Sequence, residues 1–181
     1  MLRICAGQFK GKPLKLPPQS IARPSSNKLR QAVFNILNNL ISFKDLHVLD
    51  AFAGSGALGL EAISRGAGQI VFCENNPLVQ QVLKNNISSM SSSINNQVTV
   101  VPDIFKLMST QPFDLIFLDP PYDKELEHKA LQYLVEQKLI APNGIVVIEQ
   151  RKGAPEVEHN SFTTQSIRVY GQCQVKILIK D

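Results

Sequence analysis

At 181 residues and 44% apolar content, the chain is about one domain long and has the means to bury a core without covalent staples. No apolar run approaches the roughly 20 residues of a membrane span, and the start lacks a basic, then apolar, then small-residue secretory pattern, so a soluble, non-secreted protein is expected. The three cysteines, Cys5, Cys73 and Cys173, are scattered without a CxxC pair. That argues against a disulfide framework or a zinc site, leaves no metal ligand set to nominate, and fits the reducing cytoplasm.

The net charge of +4 is unevenly spread. Met1 to Lys44 holds no acid, while Arg3, Lys10, Lys12, Lys15, Arg23, Lys28, Arg30 and Lys44 give it +8, and the remainder carries −4. A basic arm (1–44) on an acidic body (45–181) suits a polyanionic partner, although an ordinary solvated face has the same composition. Lys10, Lys12, Lys15, Arg23, Lys28 and Arg30 are the candidate phosphate contacts.

In chain order, Leu2–Ala6 and Gln8–Leu16 read as a small hairpin around Gly7 and Gly11, ended by Pro17-Pro18. A serine-capped helix follows over Asn27–Leu40, with Leu29, Val33, Ile36, Leu37 and Leu40 on one face. The body alternates strand and helix. Strands are expected at His47–Asp50, Gln69–Cys73, Val98–Val101, Asp114–Leu118 and Gly144–Glu149. Helices are expected at Ala57–Arg65, with Gly66 past its end, at Pro77–Ile87 capped by Asn76, and at Lys124–Lys138. The polar stretch Ser88–Asn96 reads as a surface loop. Phe162–Tyr170 and Gln172–Lys180, hinged at Gly171, form a closing antiparallel hairpin. This alternation implies an α/β fold with a mostly parallel, doubly wound sheet and right-handed crossovers.

Between the first two body strands stands Gly54-Ser55-Gly56-Ala57-Leu58-Gly59, with Glu74 ending the next strand. This satisfies the dinucleotide fingerprint G-x-G-x-x-G, so a dehydrogenase must be weighed. Asp50 speaks against it. A carboxylate four residues before Gly54 would repel a pyrophosphate but suits a ligand bearing a cationic ammonium and no phosphate. The pattern D-x-F-x-G-x-G from Asp50 through Phe52 to Gly56 looks like the cofactor motif of S-adenosylmethionine-dependent methyltransferases. In that family Glu74 would accept the ribose hydroxyls, and Asp103, after the third body strand, would reach the adenine amine. The bland alternative for Asp103 is a helix cap. The glycines and Ser55 would let backbone approach the ligand.

After the apolar run Leu115-Ile116-Phe117-Leu118 comes Asp119-Pro120-Pro121-Tyr122. An exocyclic base amine is a poor nucleophile because its lone pair is delocalised into the ring. A site that alkylates one needs acceptors for the amino protons. The Asp119 carboxylate and the Pro120 carbonyl offer two, and successive prolines hold them stiffly. Tyr122 offers a stacking face for a flipped base. A plain Asp-Pro turn is the alternative reading of the corner alone. No cysteine is present there for covalent attack, and His47, His128 and His159 share no catalytic spacing.

Beyond these motifs, Arg23 to Leu37 with the basic hairpin before it, Phe52 to Gly66, and Tyr170-Gly-Gln-Cys-Gln-Val175 are similar to the small bacterial 16S rRNA guanine-N2 methyltransferases over nearly the whole chain. The resemblance implies a Rossmann-like class I methyltransferase with a seven-stranded sheet, using S-adenosylmethionine to methylate the N2 amine of one guanine in small-subunit ribosomal RNA. It further implies a cytoplasmic monomer acting on an assembling 30S particle. The arm departs from the family, with Ser25, Asn27, Leu29 and Gln31 where threonine, an acid, valine and glutamate are usual, which makes it more basic. An adenine-N6 methyltransferase and a catalytically silent RNA-binding assembly factor remain as alternatives. Asn at the corner is commoner for the first, and intact Asp50, Glu74 and Asp119 argue against the second.

Overall fold

The computed structural model describes residues 2–18, 27–121 and 126–181. β1 (Leu2–Arg3) and β2 (Pro13–Leu14) pair antiparallel, with Leu2 opposite Leu14. The longer strands expected here stop early because their backbone donors are taken by the body. The Cys5 and Ala6 N–H groups donate to the Glu61 carboxylate at 2.7 and 3.0 Å, and Gln8 and Phe9 donate to the Ser64 carbonyl and hydroxyl at 2.8 and 3.0 Å. Gly7, at φ 80°, makes this approach possible, since a Cβ there would fall 1.7 Å from the Ser64 carbonyl oxygen.

α1 (Asn27–Leu37) buries Leu29, Val33, Phe34 and Leu37. It ends short of Leu40 because the chain tightens into i→i+3 bonds, Asn39 N–H to the Ile36 carbonyl and Leu40 N–H to that of Leu37. Its expected serine cap lies outside the described residues.

The body then runs β3 (His47–Asp50), α2 (Ala57–Ser64), β4 (Gln69–Cys73), α3 (Pro77–Met90), β5 (Val98–Val101), β6 (Phe113–Leu118), α4 (Leu126–Glu136), β7 (Ile140–Arg151), β8 (Phe162–Tyr170) and β9 (Cys173–Lys180). Asn76 caps α3 as expected, its side chain accepting from Leu78 and Val79 ahead of Pro77 in the first turn. The expected start of α4 at Lys124 lies outside the described residues.

The seven strands are ordered β5-β4-β3-β6-β7-β9-β8. The first five are parallel, and β9 runs antiparallel between β7 and β8. One face packs on α1, α2, α3 and the N-terminal hairpin through Phe34, Leu60, Phe72, Leu83 and Phe117. The other packs on α4 through Leu49, Ile116, Leu118, Leu131 and Leu134.

Two body segments differ from expectation. Ser88–Asn96 is not a loop: α3 continues to Met90 and a 3-10 helix spans Ser92–Gln97. Met90 and Ile94 anchor this polar stretch, buried against the α1–α3 side of the core. β7 begins at Ile140 rather than Gly144, because the pairing with β6 shifts register between Phe113 and Leu115 and the strand carries Asn143 at φ 59° through the irregularity.

Arg30 is also displaced from its expected role. It is only 1% exposed, so it cannot reach an RNA phosphate as expected of it. Its guanidinium lies beside Glu61, with Nε 3.6 Å from Oε2, and donates to Asn27 Oδ1, to Cys5 Sγ and to the Arg3 carbonyl. Glu61, fully buried, also receives Arg65 at 2.8 Å. The Arg30 Nε and Nη1 make no hydrogen bond, so this charge depends on Glu61. Glu61→Ala is expected to destabilise the protein by about 3–5 kcal/mol, because it strands a buried cation and two backbone donors. A urea unfolding curve measures this. A destabilisation below about 1 kcal/mol would mean the arm is held by apolar packing alone.

Candidate active site

The strand order reverses between β3 and β6: β4 and β5 build outward on one side, β7 on the other. In open α/β sheets a crevice forms outside the carboxyl ends of the strands at such a reversal, and ligands bind there. Asp50 ends β3, Glu74 follows β4 and Asp119 follows β6, so three carboxylates stand along this edge. Asp50 is opposite Phe117 in the ladder, and Asp119 lies two residues beyond it on the same face.

Each glycine of the loop from Gly54 to Gly59 has its own reason. A Cβ on Gly59 would fall 2.3 Å from both Ile70 and Phe72, so helix α2 can lie close on β4 only without one. A Cβ on Gly56 would fall 2.5 Å from Leu83 of α3. At Gly54, φ 54°, a Cβ would meet nothing within 4 Å: this backbone faces open space. The loop is held by polar groups beneath and beside it. Glu74 takes the Gly54 N–H on Oε2 at 3.0 Å and the Asn76 N–H on Oε1 at 2.8 Å. Asn86 of α3, buried, donates from Nδ2 to the Ser55 carbonyl at 2.8 Å.

Asp50 is 2% exposed and accepts the Gly59 N–H on Oδ2 at 2.9 Å. Burial lifts its carboxyl to about 7 against the Gly59 hydrogen bond, and the nearby Glu74 charge adds to the rise. An ionised Asp50 here is short of a cation. The Cys73 thiol is pushed up to about 12, first by burial and then by the charges of Asp50 and Asp103.

Phe52 is half-buried against the α4-side core, and Ser55 is buried. Asp103 is half-buried and caps the short turn Ile104–Lys106, its Oδ1 accepting from Phe105 N–H at 3.0 Å, so the capping role expected as the alternative holds in part. Asp119 is half-buried and Pro120 buried, and Asp119 lines a small cleft with Glu149, Leu118, Val147, Val33, Leu58 and Val175. Tyr122 and Arg23 lie outside the described residues. Lys10, Lys15 and Lys28 are exposed and Lys12 half-exposed. A larger hollow of about 300 Å³, lined by His128 and His159 on the α4 side, contains none of the carboxylates named above.

Three residues of this region are not among the site residues that the sequence nominates. Glu149 sits one position past the Leu118–Ile148 pair, beside Asp119. Glu61 ties the arm to α2, and Asn86 ties it to the loop. Glu61 could have been noticed as the lone acid inside the apolar run Leu58–Ile63; nothing local marks Asn86.

A seven-stranded sheet with this order, a glycine loop after β3 and an acid at the end of β4 define a class I methyltransferase fold. The family model described as Conserved hypothetical protein 95 matches residues 2–179. The ribosomal RNA small subunit methyltransferase D of Haemophilus influenzae is 34% identical over 168 residues, covering 90% of this chain and 85% of the relative. The Escherichia coli protein of the same name is 30% identical over 178 residues, covering 97% and 88%. A solved structure of a proposed Escherichia coli methyltransferase superposes with a TM-score of 0.84 at 28% identity, covering 99% of this chain and 98% of that one. The chain belongs to the Conserved hypothetical protein 95 family, a family of methyltransferases.

The shifted Asp50 has a consequence for stability. Its folded pKa lies above the ordinary carboxylate value, so between about pH 4 and 7 the folded form holds a proton that the unfolded chain has released. Stability is therefore lost as pH rises through that window. Asp50→Asn, neutral throughout, should flatten this fall and raise the Tm above pH 7 relative to the parent. Parallel Tm–pH curves for the two proteins would show that Asp50 is not the titrating group.

Proposed function

We propose that this protein transfers a methyl group from S-adenosylmethionine to the exocyclic N2 amine of a guanine in small-subunit ribosomal RNA. The observation that carries the reading is the row of Asp50, Glu74 and Asp119 at the strand reversal, beside a glycine backbone that faces open space. When bound, S-adenosylmethionine supplies an electrophilic methyl on a sulfonium. The residues present fit it. Asp50 offers a buried charge to the methionine ammonium, which would draw its carboxyl back into the ionised state. Glu74, already oriented by two backbone N–H groups, has lone pairs left for a ribose diol. Asp103 is the candidate for the adenine amine. Gly54, Ser55 and Gly56 bring backbone close, and Phe52 borders the same turn.

Asp119 and the Pro120 carbonyl would accept the two amino protons, leaving the nitrogen lone pair turned to the methyl. After transfer the alkylated nitrogen carries an excess proton, which leaves readily because the conjugate amine is a weak base. Tyr122 would stack on the flipped base. Guanine shows two neighbouring donors on this edge, N1–H and N2–H, whereas adenine shows a donor beside an acceptor. Two acceptors side by side, as Asp119 and Glu149 would supply, would match the two donors of guanine. Lys10, Lys12, Lys15, Lys28 and Arg23 would meet the phosphates of RNA, free or in an assembling 30S particle. The names of the relatives support this substrate class.

Incubation with methyl-labelled S-adenosylmethionine and small-subunit particles, free ribosomal RNA or DNA, followed by nucleoside analysis, should return N2-methylguanosine. N6-methyladenosine would establish the adenine reading, and no label in any substrate would favour a silent assembly factor. Asp119→Ala should leave cofactor binding nearly intact and reduce transfer by about 10²-fold or more. Full activity in that variant would remove the corner from the chemistry. Replacing Lys10, Lys12 and Lys15 by alanine should make log affinity less steep against log salt, by about 0.7–0.9 for each phosphate no longer neutralised. An unchanged slope would make the arm a solvated face.

A further inference from the structure

We infer that Asn86 is a positioning residue that couples the basic arm to the cofactor loop, so that RNA and cofactor strengthen each other's binding. The inference rests on the methyltransferase reading above and deepens it. Asn86 sits on α3, 1% exposed, with its carboxamide between the chain leaving the hairpin and the glycine loop. Its Oδ1 accepts the Lys15 N–H at 2.8 Å, and its Nδ2 donates to the Lys15 carbonyl at 2.9 Å and to the Ser55 carbonyl at 2.8 Å. Both amide protons are thus committed, one to the chain leaving the hairpin and one to the glycine loop.

The group is planar and buried, and no solvent stands ready to replace a missing partner. A shift of Ser55 when a ligand settles on the loop must either break a bond or carry Lys15 with it. Lys15 is itself one of the exposed cations of the arm. The same helix braces the loop one turn earlier, where Leu83 lies against Gly56. On the far side of the loop, Glu61 and Ser64 of α2 grip Cys5 to Phe9. The arm is therefore docked by buried polar groups onto both helices that flank the loop. A carboxamide is required: aspartate would lose both donors, and alanine would lose all three bonds.

Coupling between two binding sites is reciprocal, and typical values are about 5- to 150-fold. In the unmutated protein, S-adenosylhomocysteine and unmodified small-subunit ribosomal RNA should each tighten the other's Kd by on the order of 10-fold. Asn86→Ala should bring that factor close to one while each ligand still binds alone. A folded Asn86→Ala protein with undiminished coupling would overturn the inference. Amide hydrogen exchange on the unmutated protein tests it without a variant. S-adenosylhomocysteine should slow exchange at Gly54 and Gly56, and also at Lys15, whose N–H is held by Asn86. Protection at the glycines with none at Lys15 would overturn the coupling and leave the cofactor reading standing. Protection at neither would overturn both.

Discussion

The parallel pairing of β3 with β6, from Val48 opposite Leu115 to Asp50 opposite Phe117, joins two strands whose connections depart in opposite directions. Everything that the site requires follows from that junction. Because no crossover helix can cover the strand ends there, the edge stays open while the centre of the sheet is packed on both faces. Asp50 and Asp119 are brought to one edge from positions far apart in the chain, and the glycine loop is left as its rim. A site assembled this way depends on backbone pairing, which tolerates side-chain change, and that accounts for close superposition on a relative with under a third of its residues identical.

The buried polar groups around the junction carry a different kind of specification. Glu61, Asn86, Asp50 and Arg30 are all nearly or wholly inaccessible. Removing such groups from water is costly, and only well-made hydrogen bonds offset it. Glu61 and Asn86 are well satisfied and fix one docking of the arm. Asp50 is left with a raised carboxyl and a backbone N–H from Gly59, an arrangement that makes sense for a group whose full partner arrives with a ligand.

Much of this was legible in the sequence where the determinant is local. The strands His47–Asp50, Gln69–Cys73, Val98–Val101 and Phe162–Tyr170 have the bounds that their apolar patterns implied, and Asn76-Pro77 marks a helix start on its own. The glycine loop and the Asp119 corner also announce themselves, because each is a short run of unusual residues. What escaped depends on distant partners. Glu61 takes donors from residues 55 and 56 positions away, Asn86 from 71, and no window of sequence contains both halves of such a bond. Arg30 looked like a surface cation because composition counts charge without burial. Ser88–Asn96 looked like a loop because its serines and asparagines outnumber Met90 and Ile94, yet two well-spaced apolar anchors were enough to order it.

Cys73 adjoins Glu74 at the rim of the crevice, where a thiolate would be the strongest nucleophile within reach. With its thiol pushed up to about 12, it stays protonated at any physiological pH. Burial, and after it the charges of Asp50 and Asp103, thereby disarm this sulfur. A methyltransferase works beside an alkylating donor, and in this one the thiol nearest the glycine loop is quieted chiefly by burial rather than by the absence of a reactive atom. Thiol reagents would accordingly mark this protein at the half-exposed Cys5 and Cys173 while leaving Cys73 silent.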